Sequence, residues 1–140
     1  MPRDILTEAE INAPISRVWN VLADIDTWDT WTSIFNFKKA KLEPGGRGLL
    51  LARVGPGAAP LPIRFDVVDN EREIRWHGGV PGVLHGSHFL KLEKIDDKTT
   101  RLIHGEEFTG LVINASWKLI GDQLPAAYDK FNRDLISRMA

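Results

Sequence analysis

WKLIGDQLPAAYDKFNRDLISRM, residues Trp117 to Met139, is the stretch whose reading decides the fold. Trp117, Ile120, Leu124, Tyr128, Phe131, Leu135 and Met139 step by three and four, while Lys118, Asp122, Lys130, Arg133 and Asp134 fall elsewhere. That spacing lays one apolar stripe along an amphipathic helix. Pro125 would forfeit the bond to the Gly121 carbonyl and crowd it, so a kink there, or a helix start just before Pro125, is expected. Unbroken, a helix of about 22 residues runs roughly 33 Å, enough to cross a whole sheet.

The residues upstream supply that sheet. Turn signals at Pro44-Gly45-Gly46, Pro56-Gly57 through Pro62, Asp69-Asn70, Gly78 through Gly82 and Asp96-Asp97-Lys98 separate strand-like runs. Six strands are expected near Ile34–Glu43, Arg47–Val54, Ile63–Asp69, Glu73–Gly78, Leu84–Ile95 and Thr99–Thr109. Short turns favour antiparallel neighbours, so the simplest topology is a six-stranded meander. Ile5 to Ile11 alternates Ile5, Thr7, Ala9 and Ile11 with Leu6, Glu8 and Glu10, a half-buried strand that completes the sheet. Pro14 then suits the first position of a short helix carrying Ile15, Val18, Trp19 and Leu22. Asp26 can cap a second short helix, with Trp28 and Trp31 on one side and both rings inward.

At 140 residues the chain suits a single domain, residues 1–140, with one sizeable core. Its 43% hydrophobic and 26% charged residues exclude wholesale disorder and a fibrous architecture. Lys38, Lys39 and Lys41 make only a short basic run, read as a solvated strand face, so no nucleic-acid partner is expected. The absence of cysteine removes disulfides, thiol nucleophiles and thiolate metal sites. No stretch is apolar enough for a signal or a membrane span, so a cytoplasmic location without stable membrane insertion is expected.

In a meander, alternate loops share one end of the sheet. Pro44–Arg47, Asp69–Arg72 and Asp96–Lys98 are compact and polar, whereas Gly55–Pro62, Gly79–Val83 and Gly110–Ile113 expose Leu61, Val80, Val83, Leu111, Val112 and Ile113. Apolar, Gly/Pro-rich loops gathered at one end suit an entrance for an apolar molecule, or simply pack on the helix start.

Period two puts Leu102, His104, Glu106 and Phe108 on one face of the last strand. If Leu102 and Phe108 are core, His104 and Glu106 are buried too, and a buried carboxylate needs a partner or a proton. His88 and Leu90 on the preceding strand, and Trp76 on the one before, can lie beside them. Three readings stay open: a satisfied network fixing strand register, an anchor that orients a ligand, or a catalytic pair. A metal site is not expected, because His88, His104 and Glu106 lack a diagnostic ligand spacing. Neither a nucleophile-elbow serine nor a phosphate-cradling motif is present, and no cofactor is expected.

The order strand, two short helices, six strands, long helix resembles the helix-grip superfamily of START-related lipid-transfer, polyketide cyclase/dehydrase-like and birch-pollen-allergen-like proteins, often grouped as SRPBCC. The resemblance covers nearly the whole chain. It is carried by Ile11-Asn12-Ala13-Pro14 with Val18-Trp19, Leu22-Ala23-Asp24, Trp28-Asp29-Thr30-Trp31, Arg72-Glu73-Ile74-Arg75-Trp76, His104-Gly105-Glu106-Glu107-Phe108-Thr109-Gly110 and Phe131-Asn132-Arg133-Asp134-Leu135. It implies an α+β fold in which a seven-stranded curved antiparallel sheet wraps a long C-terminal helix around a deep cavity. Fold membership does not name a reaction, so function rests on the site.

The leading expectation is a carrier for a small hydrophobic ligand such as a lipid, an aromatic polyketide or a hormone-like compound. Its pocket would be lined by Trp31, Phe37, Trp76, His88, Leu90, Leu102, His104, Glu106, Phe108 and Trp117, with Leu61, Val80, Val83, Leu111 and Val112 at the portal. The alternative is a polyketide cyclase/dehydratase-type enzyme in which His104 is the general acid or base and Glu106 its partner. A third is an interaction module acting through the apolar loops, with a homodimer as one outcome.

Overall fold

The computed structural model describes residues 3–53, 58–80, 84–110 and 123–140. Strand β1 (Arg3–Ile11) is followed by helix α1 (Ile15–Ala23) and a 3₁₀ helix (Ile25–Thr30). Strands β2 (Phe35–Lys38), β3 (Arg47–Arg53), β4 (Ala58–Asp69), β5 (Glu73–Val80), β6 (Leu84–Asp96) and β7 (Thr99–Thr109) then lead to helix α2 (Gln123–Met139). The seven strands form one curved antiparallel sheet in the order β1-β7-β6-β5-β4-β3-β2. The expected meander is therefore present, with β1 added beside β7. The sheet and the C-terminal helix together make a helix-grip α+β fold.

Several element ends differ from expectation for local reasons. β2 stops at Lys38, well short of Glu43, because Lys39 takes a φ of 50°, left-handed backbone that an extended strand cannot include. β4 begins at Ala58, not Ile63, and so runs through Pro60 and Pro62. Phe65 donates its N–H to the Gly46 carbonyl (2.8 Å) and accepts from the Gly45 N–H (2.7 Å), so odd-numbered residues here turn their backbone groups toward β3. Pro60 and Pro62 then point their missing donors toward β5, where the pairing already ends at Ile63–Gly78. β5 continues to Val80, which makes Gly79 and Val80 strand residues and not loop residues; Leu61 likewise belongs to β4.

Pro14 is the N-cap of α1, not its first helical residue, since its ψ of 149° is extended. The 3₁₀ helix is entered from Asp24, with Asp26 inside its first turn and not at the cap. Gly121, on which both expectations for Pro125 turn, lies outside the described residues, whose helical run is Gln123–Met139. Trp117 and Ile120 lie outside the described residues.

The core sits between the concave sheet face and α2. Leu124, Tyr128, Phe131, Leu135 and Met139 are buried on one side of that helix, each apolar side chain contributing roughly 1.5–3 kcal/mol by its removal from water. Val18, Trp19 and Leu22 of α1 join the same core, and the Trp28 indole N–H donates to the Leu22 carbonyl at 3.0 Å. Trp28 meets Trp31, Phe37, Trp76 and Phe131 at ring separations of 5.7, 5.1, 6.4 and 5.2 Å. Trp28, Trp31, Phe35, Phe37, Phe65, Trp76 and Phe131 thus form one connected aromatic cluster in the core.

Candidate functional site

Pairing across the sheet aligns its inward side chains into rows. Phe65, Trp76, His88, Glu106 and Ile5 stand opposite one another across β4, β5, β6, β7 and β1. The next row holds Ile74, Leu90, His104 and Thr7. His88 therefore faces Glu106 directly and His104 diagonally, which sets up a continuous polar chain across an otherwise apolar floor.

That chain can be followed atom by atom. Asn132 on α2 donates its amide to the Thr7 hydroxyl at 2.9 Å, and Thr7 donates in turn to the His104 carbonyl at 2.8 Å. The Asn132 carbonyl oxygen then faces His104 Nδ1 at 2.8 Å, so Nδ1 carries the proton and Nε2 is left as an acceptor. His88 Nε2 lies 2.7 Å from it and must donate. The other nitrogen, His88 Nδ1, sits 3.0 Å from Glu106 Oε1, which also accepts the Tyr128 hydroxyl. Two acceptors cannot meet without a proton between them, so His88 and Glu106 share one, as an imidazolium–carboxylate or an imidazole–carboxylic acid pair.

Burial decides what the flanking groups do. His104 is sealed in the core, and desolvation, with His88 adding, holds its imidazole well below the usual histidine range. It stays neutral at neutral pH, as the chain above requires. Burial, reinforced by the adjacent Glu106 charge and hydrogen bond, pushes the Tyr128 phenol well above its ordinary value, so it keeps its proton and donates. Ring packing holds the geometry: His88 stacks on Trp76 at 4.3 Å and 12°, and His104 on Tyr128 at 4.7 Å and 4°.

Beside this chain lies a cavity of about 230 Å³. Its polar wall is His88, Glu106 and Tyr128; its apolar walls include Trp76, Phe35, Leu50, Ala52, Phe108 and Leu124, and Leu61 lies at its β4 side. Gly78, Gly79 and Gly86 complete the lining. A Cβ at Gly86 would collide with Glu106 Oε2, so glycine there is what lets the carboxylate lie against β6.

Of the residues picked from the sequence, Trp76, His88, Glu106, Phe108 and Leu61 reach this cavity. Trp31, Phe37, Leu90, Leu102 and His104 do not line it: Phe37, Leu90, Leu102 and His104 are core, and Trp31 packs half-buried on Trp28 and Phe131. His104 and Glu106 share a strand face, but His104 lies one row over, where Asn132 and Phe131 of α2 cover it. Trp117, Val83, Leu111 and Val112 lie outside the described residues, and Val80 is the last residue of β5. Phe35, Leu50, Leu124, Tyr128, Asn132 and Thr7 were not foreseen at the site. Leu124 and Tyr128 carried a signal on the inward stripe of the helix, Tyr128 also as the single tyrosine, and Thr7 shared the strand face of Ile5 and Ile11.

Among the described residues no three His, Cys, Asp or Glu side chains are grouped to hold a metal ion. The two facing Nε2 atoms at 2.7 Å make a hydrogen bond, closer than the roughly 3.3 Å separating two ligands on a tetrahedral zinc with bonds near 2.0 Å. No described helix is long and apolar enough to cross a membrane.

A curved antiparallel sheet gripping a C-terminal helix, with a mostly apolar cavity beside the polar chain, defines a helix-grip protein. More specifically, the chain belongs to the family described as polyketide cyclase/dehydrase and lipid transport, which matches residues 3–140. No curated protein sequence matches it. Among solved structures it is similar to hypothetical protein jhp0584 from Helicobacter pylori, at 14% identity over 99% of this chain and 88% of that one, with a TM-score of 0.79. It is also similar to the Zhui aromatase/cyclase from Streptomyces sp. R1128, at 16% identity over 99% and 92% of the two chains, TM-score 0.75. Norcoclaurine synthase from Thalictrum flavum, in complex with dopamine and hydroxybenzaldehyde, matches at 14% identity over 100% and 89%, TM-score 0.71. At such identities the likeness is one of fold.

Proposed function

We propose that this chain binds and carries a small, largely apolar, ring-containing molecule in the cavity between β2–β7 and α2. The observation that carries the reading is the asymmetry of that cavity: about 230 Å³ walled mainly by aromatic and aliphatic side chains, with His88, Glu106 and Tyr128 grouped on one wall. Apolar burial supplies affinity and the grouped polar atoms supply orientation. A dry cavity of 150 Å³ suffices for benzene, so one half as large again suits a fused two-ring molecule. Native mass spectrometry of the protein purified from its own host tests this: a bound small organic compound is expected. Protein that is uniformly free of ligand, and that no aromatic or lipid compound stabilises thermally, would remove the basis of the reading.

One observation favours a second reading, proton-transfer chemistry on a bound carbonyl compound: the proton shared by His88 and Glu106 lies at the cavity wall. His88 and Glu106 then act as acid and base, with His104 as a positioning residue that sets the His88 tautomer. Turnover of an identified substrate that survives both His88→Gln and Glu106→Gln would exclude it.

A further inference from the structure

We infer that the ligand group seated against Glu106 is a hydrogen-bond donor, the hydroxyl of a phenol or alcohol, and not a carbonyl or a carboxylate; this rests on the cavity reading above. The argument is an inventory of protons. In the polar array, the Tyr128 hydroxyl already donates to Glu106 Oε1 and His88 Nε2–H to His104 Nε2. The remaining proton lies between His88 Nδ1 and Glu106 Oε1. The Trp76 indole meets His88 with its face, so its N–H is not part of this array. Every donor of the array is therefore committed before a ligand arrives.

What is left is an acceptor. Glu106 Oε2 has no hydrogen-bond partner among the described residues, and it lies against Gly86, itself on the cavity lining. Whichever form the shared proton takes, it sits on the Oε1 side, so Oε2 carries none. A ligand hydroxyl placed there completes the carboxylate's hydrogen bonding. A ketone would set lone pair against lone pair, and a carboxylate would do the same while placing a charge in a mostly apolar cavity.

Matched two-ring compounds separate these cases by isothermal titration of the full chain near neutral pH. The probes are 1-tetralol with 1-tetralone, 2-naphthol with 2-naphthoate, and naphthalene as the apolar reference. The alcohol and the phenol are expected to bind at least tenfold more tightly than their ketone and carboxylate counterparts. Equal or tighter binding of the ketone or carboxylate overturns the donor assignment while leaving the cavity reading intact. Failure of all five compounds to bind overturns the cavity reading itself.

Discussion

Lowering the pH from 7 to 5 should destabilise this protein through His104 in particular. Its imidazole is buried, hydrogen-bonded as the Nδ1–H form to Asn132, and held by desolvation well below the usual histidine value. In the unfolded chain the same group titrates near 6.5, so below that pH the unfolded state binds a proton that the native state refuses. The sign follows: stability is intact above about pH 6.5 and is lost as the pH falls, until the native imidazole itself protonates. If the native ring is still neutral at pH 5, the loss from pH 7 is about 2 kcal/mol, a sizeable part of the 5–15 kcal/mol typical of a domain. Urea unfolding at the two pH values reads it as a drop in midpoint at constant slope. His104→Leu removes the titration, so the variant, although less stable at pH 7, should lose about 2 kcal/mol less on acidification. Identical pH dependence in both proteins, or an imidazole ¹⁵N titration of His104 near pH 6.5 in the native state, would refute the reasoning.

Tyr128 is the only tyrosine, so tyrosinate absorbance reports it alone: the native protein should show none until well above pH 10, and the signal should appear on unfolding at pH 10.5. Because the unfolded phenol ionises first, stability should also fall as the pH rises past about 10, a dependence that Tyr128→Phe should lack. At neutral pH the same variant should cost about 1–2 kcal/mol by denaturant midpoint, since it strips Glu106 of a buried donor. Phe131→Ala, in the fully buried ring packed on Trp28, Trp31, Phe35 and His104, should cost about 3–5 kcal/mol in the same measurement. Trp28→Phe should be clearly worse than Trp31→Phe in calorimetry: the first removes the bond to Leu22 O, whereas Trp31 Nε1 is buried without a partner among the described residues.

Local pattern in the chain was enough to specify the elements and, from them, the architecture. Period-two alternation marked β1 and β7, turn residues separated the strands between, and the three-four stripe from Leu124 to Met139 marked the helix that the sheet must cover. Parity also placed Trp76, His88, His104 and Glu106 on the concave face, because alternation in a strand is a property of the backbone. Which of those inward residues meets open space was a different matter. His104 and Glu106 stand two residues apart on one strand, yet His104 is covered by Asn132 and Phe131 while Glu106 opens beside Tyr128 and Gly86. That choice depends on where α2 lies across the curved sheet, a contact between segments distant in the chain. The partners that set each proton, Thr7 from β1 and Asn132 and Tyr128 from α2, are brought in by the same packing. Alternation can say that a side chain points inward; only the folded arrangement of sheet and helix determines whether it meets another side chain, a hydrogen-bond partner or a cavity.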